Sequence, residues 1–543
     1  MSADPPAAVV TEPTARAVGG PYSGFATLRA GALAWLRINR ADAVVMGTLA
    51  ALCLLVRLLT LEGVSTGGDA IIKWHFVRQW FYKNDFSHGY WDHHMARVGV
   101  NSIVYIAQLL LGRGPNVYYA APLSAAVLET LCVYACAKRL DGRWTGVAAA
   151  LLLTFFPGQI GAASQLMPEI FSGAYGILAT YLYLRYATAE GRARWRWLAA
   201  ASLAMFVAYL AKETSVFFLP GFVVAIWATE RRWKDVALFC GVLLLGVACE
   251  TAFYRIFTDY PHRLAIIRGT HYIIESKDKA TFWELFDRYN ERLDPPWRFA
   301  FYTFLVTSIG VLAFFPKAGA RAVLWIVGSY YFFLTFLVRS INPIILWQAF
   351  WTRYLDPTAP FVAIVMALFL AACLSEFLKR NPDGRWARWA AQARERSTPL
   401  AVAVSVILGA LTYAIARPDL DHGALKVNTE LAAIANDTYA RNLPFVAARD
   451  PRGVWTTYAV FIDDKLLARN GFLPLYDDVK QTSQKRTYLV KDPNAYGGET
   501  LSQLMSAHCY TEISTHGGGP ITMKPMHKLD SACDAVLARE RKR

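Results

Sequence analysis

Residues 42 to 70 read DAVVMGTLAALCLLVRLLTLEGVSTGGDA, a long apolar run that ends in a glycine-containing turn and an acid, Asp69. The run is long enough to cross a hydrocarbon core of ~30 Å. Asp69 then opens a polar and aromatic stretch that extends to Arg97. A carboxylate in this position lies at the lip of the membrane, where it could act on a lipid headgroup whose tail stays in the bilayer.

The composition of the whole chain is typical of a membrane protein. Of its 543 residues, 55% are hydrophobic and only 18% are charged, and the mean hydropathy is +0.27. Soluble domains rarely combine such values. The formal charge of +15 is better explained by basic cytoplasmic loops than by a nucleic-acid partner.

Apolar runs predict a polytopic α-helical protein with eleven transmembrane helices. The runs lie near residues 42–62, 116–137, 144–163, 169–185, 197–211, 215–229, 236–257, 299–315, 321–338, 359–378 and 399–416. With the N-terminus inside, every inside loop is basic, as the positive-inside rule expects. The apolar run 101–111 is too short to cross, so we expect a helix along the outer surface there.

This topology divides the chain into three parts. Residues 1–41 form a disordered cytoplasmic tail, and residues 42–416 form the transmembrane domain, with 63–115 as its first extracytoplasmic loop. Residues 417–543 then lie outside as a small α/β domain, with a helix over 424–440 and strands near 454–462, 488–490 and 521–523. Cys509 and Cys533 lie in this polar part. They could form a disulfide in an oxidising compartment, and two free thiols are the alternative. The expected location is the cell inner membrane.

The outer loops contain the residues that could carry chemistry. Asp69 could act as a general base that accepts a proton from an attacking hydroxyl. Alternatively it caps the helix that follows. Glu169, near the outer end of a span, is a second candidate acid or only the start of a helix. Asp92, His93 and Glu213 are weaker candidates on the same side. A divalent cation held by oxygen at Asp69 and Glu169 stays open, and no other cofactor is expected.

Three basic residues on the outer side are candidates for binding a phosphate. Arg353 and Arg339 carry guanidinium groups that can hold a phosphate with two hydrogen bonds; snorkelling to headgroups is the alternative. Lys212 follows an apolar run, and a structural ion pair with a neighbouring acid such as Glu213 is its other interpretation. Because these segments should all reach one face of the membrane, they indicate one shared site.

The order of these motifs resembles the GT-C glycosyltransferases that use polyprenyl-phosphate sugars, a group that includes protein O-mannosyltransferases and lipid A aminoarabinose transferases. The resemblance covers about residues 42 to 378. It is carried by Gly68-Asp69-Ala70, the surface helix at 101–111, the basic-glycine turn 138–143, the outer turn 156–169, Lys212-Glu213-Thr214 and Thr352-Arg353-Tyr354-Leu355. The chain has Asp69-Ala70 where the family often has Asp-Glu. It has His93-His94-Met95 where the family often has His-Pro-Pro or Pro-Pro-Leu.

The resemblance implies an inverting glycosyltransferase at the outer face of the membrane. A monosaccharide would move from a polyprenyl-phosphate carrier to a hydroxyl of a glycan, lipid or protein acceptor. Asp69 would activate the acceptor, and Lys212 and Arg353 would hold the phosphate. Two alternatives stay open: a transporter or flippase of a lipid-linked glycan, and an oligosaccharide ligase or polymerase with a diphosphate-linked donor. A transporter usually has internal repeats and paired broken helices, which this sequence does not indicate.

Overall fold

The fold is described from a computed structural model. It describes residues 39–64, 68–83, 93–258, 260–270, 279–291, 293–315, 317–336, 338–341, 344–346, 352–380, 384–416, 424–440, 445–447, 460–463, 466, 487–489, 512–515 and 521–524. Most of these residues are helical. The expected tail at 1–38 and the cysteines Cys509 and Cys533 lie outside the described residues.

The helices follow one another along the chain with short connections. In order they are α1 Arg40–Leu59, α2 Gly68–Lys83, α3 Val98–Leu111, α4 Ala120–Asp141, α5 Arg143–Thr154, α6 Pro157–Ala162, α7 Pro168–Tyr186, α8 Gly191–Ala211, α9 Leu219–Glu230, α10 Trp233–Phe257, α11 Arg263–Thr270, α12 Glu284–Glu291, α13 Pro295–Phe314, α14 Ala318–Thr335, α15 Ala359–Arg380, α16 Arg385–Glu395, α17 Ser397–Ala416 and α18 Ala424–Ala440. Three 3₁₀ segments precede α4, α9 and α15, at Pro115–Tyr119, Glu213–Phe218 and Thr352–Thr358.

Six described helical segments are long and apolar enough to cross a membrane. They are Arg40–Leu59, Pro115–Asp141, Trp233–Phe257, Pro295–Phe314, Thr352–Arg380 and Ser397–Ala416. Each coincides with one of the predicted runs, so the chain is a polytopic helical membrane protein. The other predicted runs fall on helices that are shorter or less apolar, and the count of eleven stays a prediction. Helix α3 covers the run predicted as a surface helix; its 14 residues extend only about 21 Å.

One predicted span is not a single helix. The run 144–163 is divided between α5 and α6, because the chain breaks at Phe155 and Phe156 and restarts at Pro157. Proline lacks the N–H that an unbroken helix would need here. The buried Arg57 of α1 compensates for the break: its Nη1 donates to the carbonyl oxygen of Thr154 at 2.8 Å, and its Nη2 to that of Leu153 at 3.3 Å. An arginine inside a predicted span is thereby explained as a cap for a neighbouring helix.

Helix α7 lies at the centre of the packing. It packs along α8, against α4 and against the 3₁₀ segment Thr352–Thr358. A large apolar core extends from these helices to α9, α13, α14 and α15. Helix α3 packs on α8 at Gly99, where an added Cβ would lie 2.6 Å from the backbone nitrogen of Ala211. This close approach brings the polar turn before α3 next to Lys212.

A second core connects the first outer loop to the C-terminal region. It joins Trp74 of α2, Tyr118, and Leu431 of α18 with Phe461 and Ile462. Arg78 of α2 donates to the carbonyl oxygen of Ile462 at 2.5 Å, and Asn428 of α18 donates to the hydroxyl of Tyr119 at 3.1 Å. The described C-terminal residues therefore pack on the same end of the bundle as Asp69.

Strands occupy two places. Strands β1 Lys279–Ala280, β2 Val338–Ile341 and β3 Ile344–Leu346 form an antiparallel sheet in the order β1-β3-β2. Strands β4 Phe445–Ala447, β5 Thr487–Leu489, β6 Glu512–Thr515 and β7 Ile521–Lys524 form a second sheet in the order β5-β4-β6-β7. Of the strand predicted at 454–462, residues 460–462 are not in a strand, and residues 454–459 lie outside the described part of the chain. A separate α/β domain stays a prediction.

Candidate active site

Asp69 lies in the first turn of α2, at the end of the bundle that carries the predicted outer loops. Its Oδ1 is 3.3 Å from His94 Nε2, and its Oδ2 accepts a hydrogen bond from Arg353 Nη1 at 3.2 Å. Burial alone would raise the pKa of Asp69, but the hydrogen bond with His94 and the charges of Lys73 and Arg353 hold it well below its usual range. Asp69 is therefore an ionised carboxylate paired with a guanidinium.

The contact between Asp69 and Arg353 joins residues that are 284 positions apart. One follows the first span and the other precedes a late one, as the topology predicts for segments on one face. Their side chains are 38% and 37% exposed, respectively. The neighbouring charged side chains Glu169, Lys212 and Glu213 are less exposed. The opening of the site is therefore at this pair.

Glu169 and Lys212 form a buried ion pair beneath that opening. Lys212 Nζ donates to Glu169 Oε1 at 2.8 Å, and the two side chains are 6% and 1% exposed, respectively. Arg353 Nε lies 3.7 Å from the same Oε1. The second oxygen, Oε2, is buried without a hydrogen-bond partner among the described residues. The aromatic ring of Tyr354 lies beside the cations, 4.9 Å from Lys212 Nζ.

Lys212 thus forms the structural ion pair that was the alternative drawn from the sequence, but with Glu169; the neighbouring Glu213 does not pair with it. Instead its Oε2 lies 3.7 Å from Arg97 Nη2 and its Oε1 3.5 Å from Arg263 Nη1. Arg263 of α11 also lies 2.9 Å from Glu250 of α10. Lys212 therefore pairs with Glu169 alone of the two acids, and Glu213 connects the turn before α3 to α11.

Sequence reasoning missed the roles of Lys73 and Arg97. Lys73 is fully buried, and its Nζ donates to the carbonyl oxygen of Asp69 at 2.6 Å and lies 3.5 Å from His94 Nδ1. Burial and the charge of Arg97 lower the pKa of Lys73 to about 7. Burial and the charge of Lys73 hold the pKa of His94 well below its usual value, so His94 is neutral. The sequence did contain a sign of this contact, because Lys73 follows Asp69 by four residues, which is one helical turn.

The other predicted site residues are placed less fully. The ring of His93 lies against that of His94, with centroids 3.7 Å apart and the planes tilted by 43°. Arg339 lies in strand β2, and its side chain is outside the described part, as is Asp92. Among the described residues, no three His, Cys, Asp or Glu side chains come together to hold a metal ion. Asp69 and Glu169 both face cations, an arrangement that suits an incoming anion better than a divalent cation.

An apolar cavity lies beside this cluster. It is lined by Met205, Tyr209, Val216, Leu219, Leu243 and Val247, from α8, the segment Glu213–Phe218, α9 and α10. Arg263 is stacked on the Tyr209 ring at 4.0 Å. The cavity therefore adjoins the charged cluster from the side of the apolar helices.

Comparisons with known proteins agree with the GT-C resemblance. Residues 100–253 match the family model described as dolichyl-phosphate-mannose-protein mannosyltransferase. No curated protein matches the chain. Two crystal structures of ArnT from Cupriavidus metallidurans are similar in fold. The apo structure is 15% identical and covers 91% of this chain and 98% of that chain, with a TM-score of 0.50. The structure bound to undecaprenyl phosphate is 14% identical and covers 89% and 98%, with a TM-score of 0.53.

Proposed function

We propose that this chain is a GT-C glycosyltransferase that transfers a monosaccharide from a polyprenyl-phosphate carrier to an acceptor hydroxyl. The acceptor is a glycan, a lipid or a protein. The observation that carries the proposal is the contact between Asp69 and Arg353 at 3.2 Å, with both side chains more than one-third exposed, at one end of the helical bundle. This contact supports a site in which Asp69 serves as the base and Arg353 binds the phosphate at the same opening.

Each charged group has a role in this reaction. The carrier phosphate binds Arg353, which moves part of its hydrogen bonding from Asp69 to the phosphate, and Lys212 supplies a second positive charge. Asp69 accepts the proton of the acceptor hydroxyl as its oxygen attacks the anomeric carbon. The bond between that carbon and the phosphate oxygen breaks on the opposite side, and the phosphate leaves with the electron pair. The product has inverted configuration.

Phosphate is already a good leaving group, so a strong general acid is not required. The cations stabilise the negative charge that develops on the departing phosphate. Positive groups aimed at a developing negative charge stabilise the transition state strongly in a site that excludes water. Glu169 keeps Lys212 oriented and charged. Arg339 is a further candidate for the phosphate. No step of this mechanism requires a divalent cation at Asp69 and Glu169.

The apolar cavity at Met205, Tyr209 and Leu243 is suited to the first isoprenoid units of the carrier. Its wall residue Tyr209 contacts Arg263, which pairs with Glu213 of the charged cluster. ArnT has been crystallised with undecaprenyl phosphate, a carrier of the proposed kind. With eleven crossings and a cytoplasmic N-terminus, the site and a C-terminal α/β domain would face the periplasm of the cell inner membrane.

Transfer and transport are separated by following the sugar. The full chain is reconstituted in liposomes with a radiolabelled polyprenyl-phosphate sugar and candidate acceptors. The proposal requires label in a new covalent product, with release of polyprenyl phosphate. Label that only changes leaflet would indicate a flippase, and activity with a diphosphate-linked donor alone would indicate a ligase or polymerase.

A further inference from the structure

The end of the bundle opposite the Asp69–Arg353 opening carries a short helix between two spans. Helix α16 reads RWARWAAQARE and lies between α15 and α17. Arg353 directly precedes α15, whose 22 residues extend about 33 Å. Helix α16 therefore begins about one hydrocarbon thickness away from the site, on the face that carries the basic loops.

The C-terminal half of α16 is attached to the bundle. Trp144 Nε1 donates to the carbonyl oxygen of Ala393 at 3.2 Å. Just beyond the helix, Arg143 Nη1 donates to Ser397 Oγ at 2.9 Å and to Thr398 Oγ1 at 2.8 Å. These bonds tie the helix to the turn between α4 and α5, so it is a fixed part of this face.

The side chains of α16 divide into two kinds. Trp386 and Trp389 are 62% and 57% exposed, and their rings contact each other edge to face with centroids 6.3 Å apart. Arg385, Arg388 and the following Arg396 are also exposed. At 100° per residue, the two tryptophans and the arginines Arg385 and Arg388 all fall within one half of the helix circumference, so this exposed face is both aromatic and basic. Two adjacent exposed indoles would be poorly placed in water, but they suit the boundary between headgroups and acyl chains.

We propose that α16 lies in the headgroup layer of the membrane and binds anionic phospholipids. Trp386 and Trp389 enter the acyl boundary, and Arg385, Arg388 and Arg396 contact the phosphates. Charge complementarity selects this occupant: a basic helix with aromatic anchors is attracted to an anionic leaflet. A second copy of the chain would bring its own arginines to the same place, and like charges would repel. The proposal does not depend on the sugar-transfer reaction.

The test measures which lipids border the full chain. The protein is reconstituted in nanodiscs of phosphatidylcholine with 30% phosphatidylglycerol, with spin-labelled forms of either lipid at trace level. The immobilised fraction of each spin label gives the preference for the anionic lipid. Because each arginine near an anionic surface strengthens association by about fivefold, the Arg385→Gln/Arg388→Gln/Arg396→Gln variant should lose at least about threefold of that preference. Added salt should reduce the wild-type preference toward that of the variant.

A matched variant removes the same charge from the same face but not from α16. It carries Arg192→Gln, Arg196→Gln and Lys234→Gln, at three exposed positions. The proposal expects this control to keep most of the preference. An equal loss in both variants, or no preference in the wild type, would overturn it. So would dissociation of a dimer by the α16 variant, measured by mass photometry, because the face would then bind another copy.

Hydrogen exchange gives a readout that does not depend on charge counting. Amides of α16 should exchange more slowly in nanodiscs with phosphatidylglycerol than in pure phosphatidylcholine. Trp386→Ala/Trp389→Ala should remove that protection. Identical exchange in the two lipids would contradict insertion of this helix into the headgroup layer.

Discussion

Replacing Asp69 by asparagine separates a catalytic base from a structural cap. Asparagine has the same shape and can still accept a hydrogen bond from Arg353, so the helix start and most of the packing are kept. The Asp69–Arg353 pair is more than one-third exposed, and such pairs contribute at most about 1 kcal/mol to stability. A general base contributes about 10²–10⁴-fold to rate, or about 2.7–5.5 kcal/mol in activation free energy. The loss of activity should thus far exceed the loss of stability.

The assay compares Asp69→Asn with wild type in nanodiscs, under single turnover with radiolabelled polyprenyl-phosphate sugar. We expect transfer to fall at least 10²-fold, with thermal unfolding almost unchanged and polyprenyl phosphate still bound. Asp69→Ser is a second variant with the same expected loss, because serine keeps a hydrogen-bonding oxygen in the first turn of α2 but cannot act as the base. If Asp69→Ser or Asp69→Asn turned over within tenfold of wild type, the residue would be a cap and the mechanism would be wrong.

Three further predictions follow from the buried contacts. Glu169→Gln should reduce transfer by on the order of 10²-fold. Burial already lowers the pKa of Lys212, and loss of the Glu169 charge lowers it further. The remaining activity should therefore increase from pH 8 to pH 6 as Lys212 regains its proton. Lys73 has a pKa of about 7 in the folded protein, below its value in the unfolded chain. Between pH 7 and 10 the unfolded chain therefore binds more protons, and the wild type becomes more stable as the pH rises. Thermal unfolding of Lys73→Met should lack this part of the pH dependence. Gly99→Ala should destabilise the protein by roughly 1–3 kcal/mol and reduce transfer, because the new Cβ meets backbone at 2.6 Å, whereas Gly328→Ala, with nothing within 4 Å, should be neutral or slightly stabilising in the same unfolding assay.

Each of these has an outcome that would contradict it. A pH-independent Glu169→Gln variant would remove Lys212 from the phosphate. An unchanged pH dependence in Lys73→Met would mean that Lys73 is not the titrating group. Equal stabilities for Gly99→Ala and Gly328→Ala would mean that α3 and α8 do not meet as closely as described.

Local patterns predicted much of the fold. Six spans coincide with apolar runs long enough to cross, and α18 covers the run 424–440 that helical spacing indicated. The break at Pro157 was not predicted, because a run of apolar residues does not reveal a change of helix within it. The C-terminal strands were only partly anticipated, because short β segments depend on partners that are distant in sequence.

The sequence by itself determined that the chain is a membrane protein, that Asp69 follows its first span and that Arg353 precedes a late one. Apolar length and basic loops are local properties, so they can be read along the chain. Only the tertiary structure decided which charges meet: Asp69 with Arg353 and His94, Lys212 with Glu169 rather than Glu213, and Glu213 with Arg97 and Arg263. Ion pairs between distant segments depend on how helices pack, as at the Gly99 contact of α3 with α8, and no periodicity in one segment specifies the partner that packing will bring.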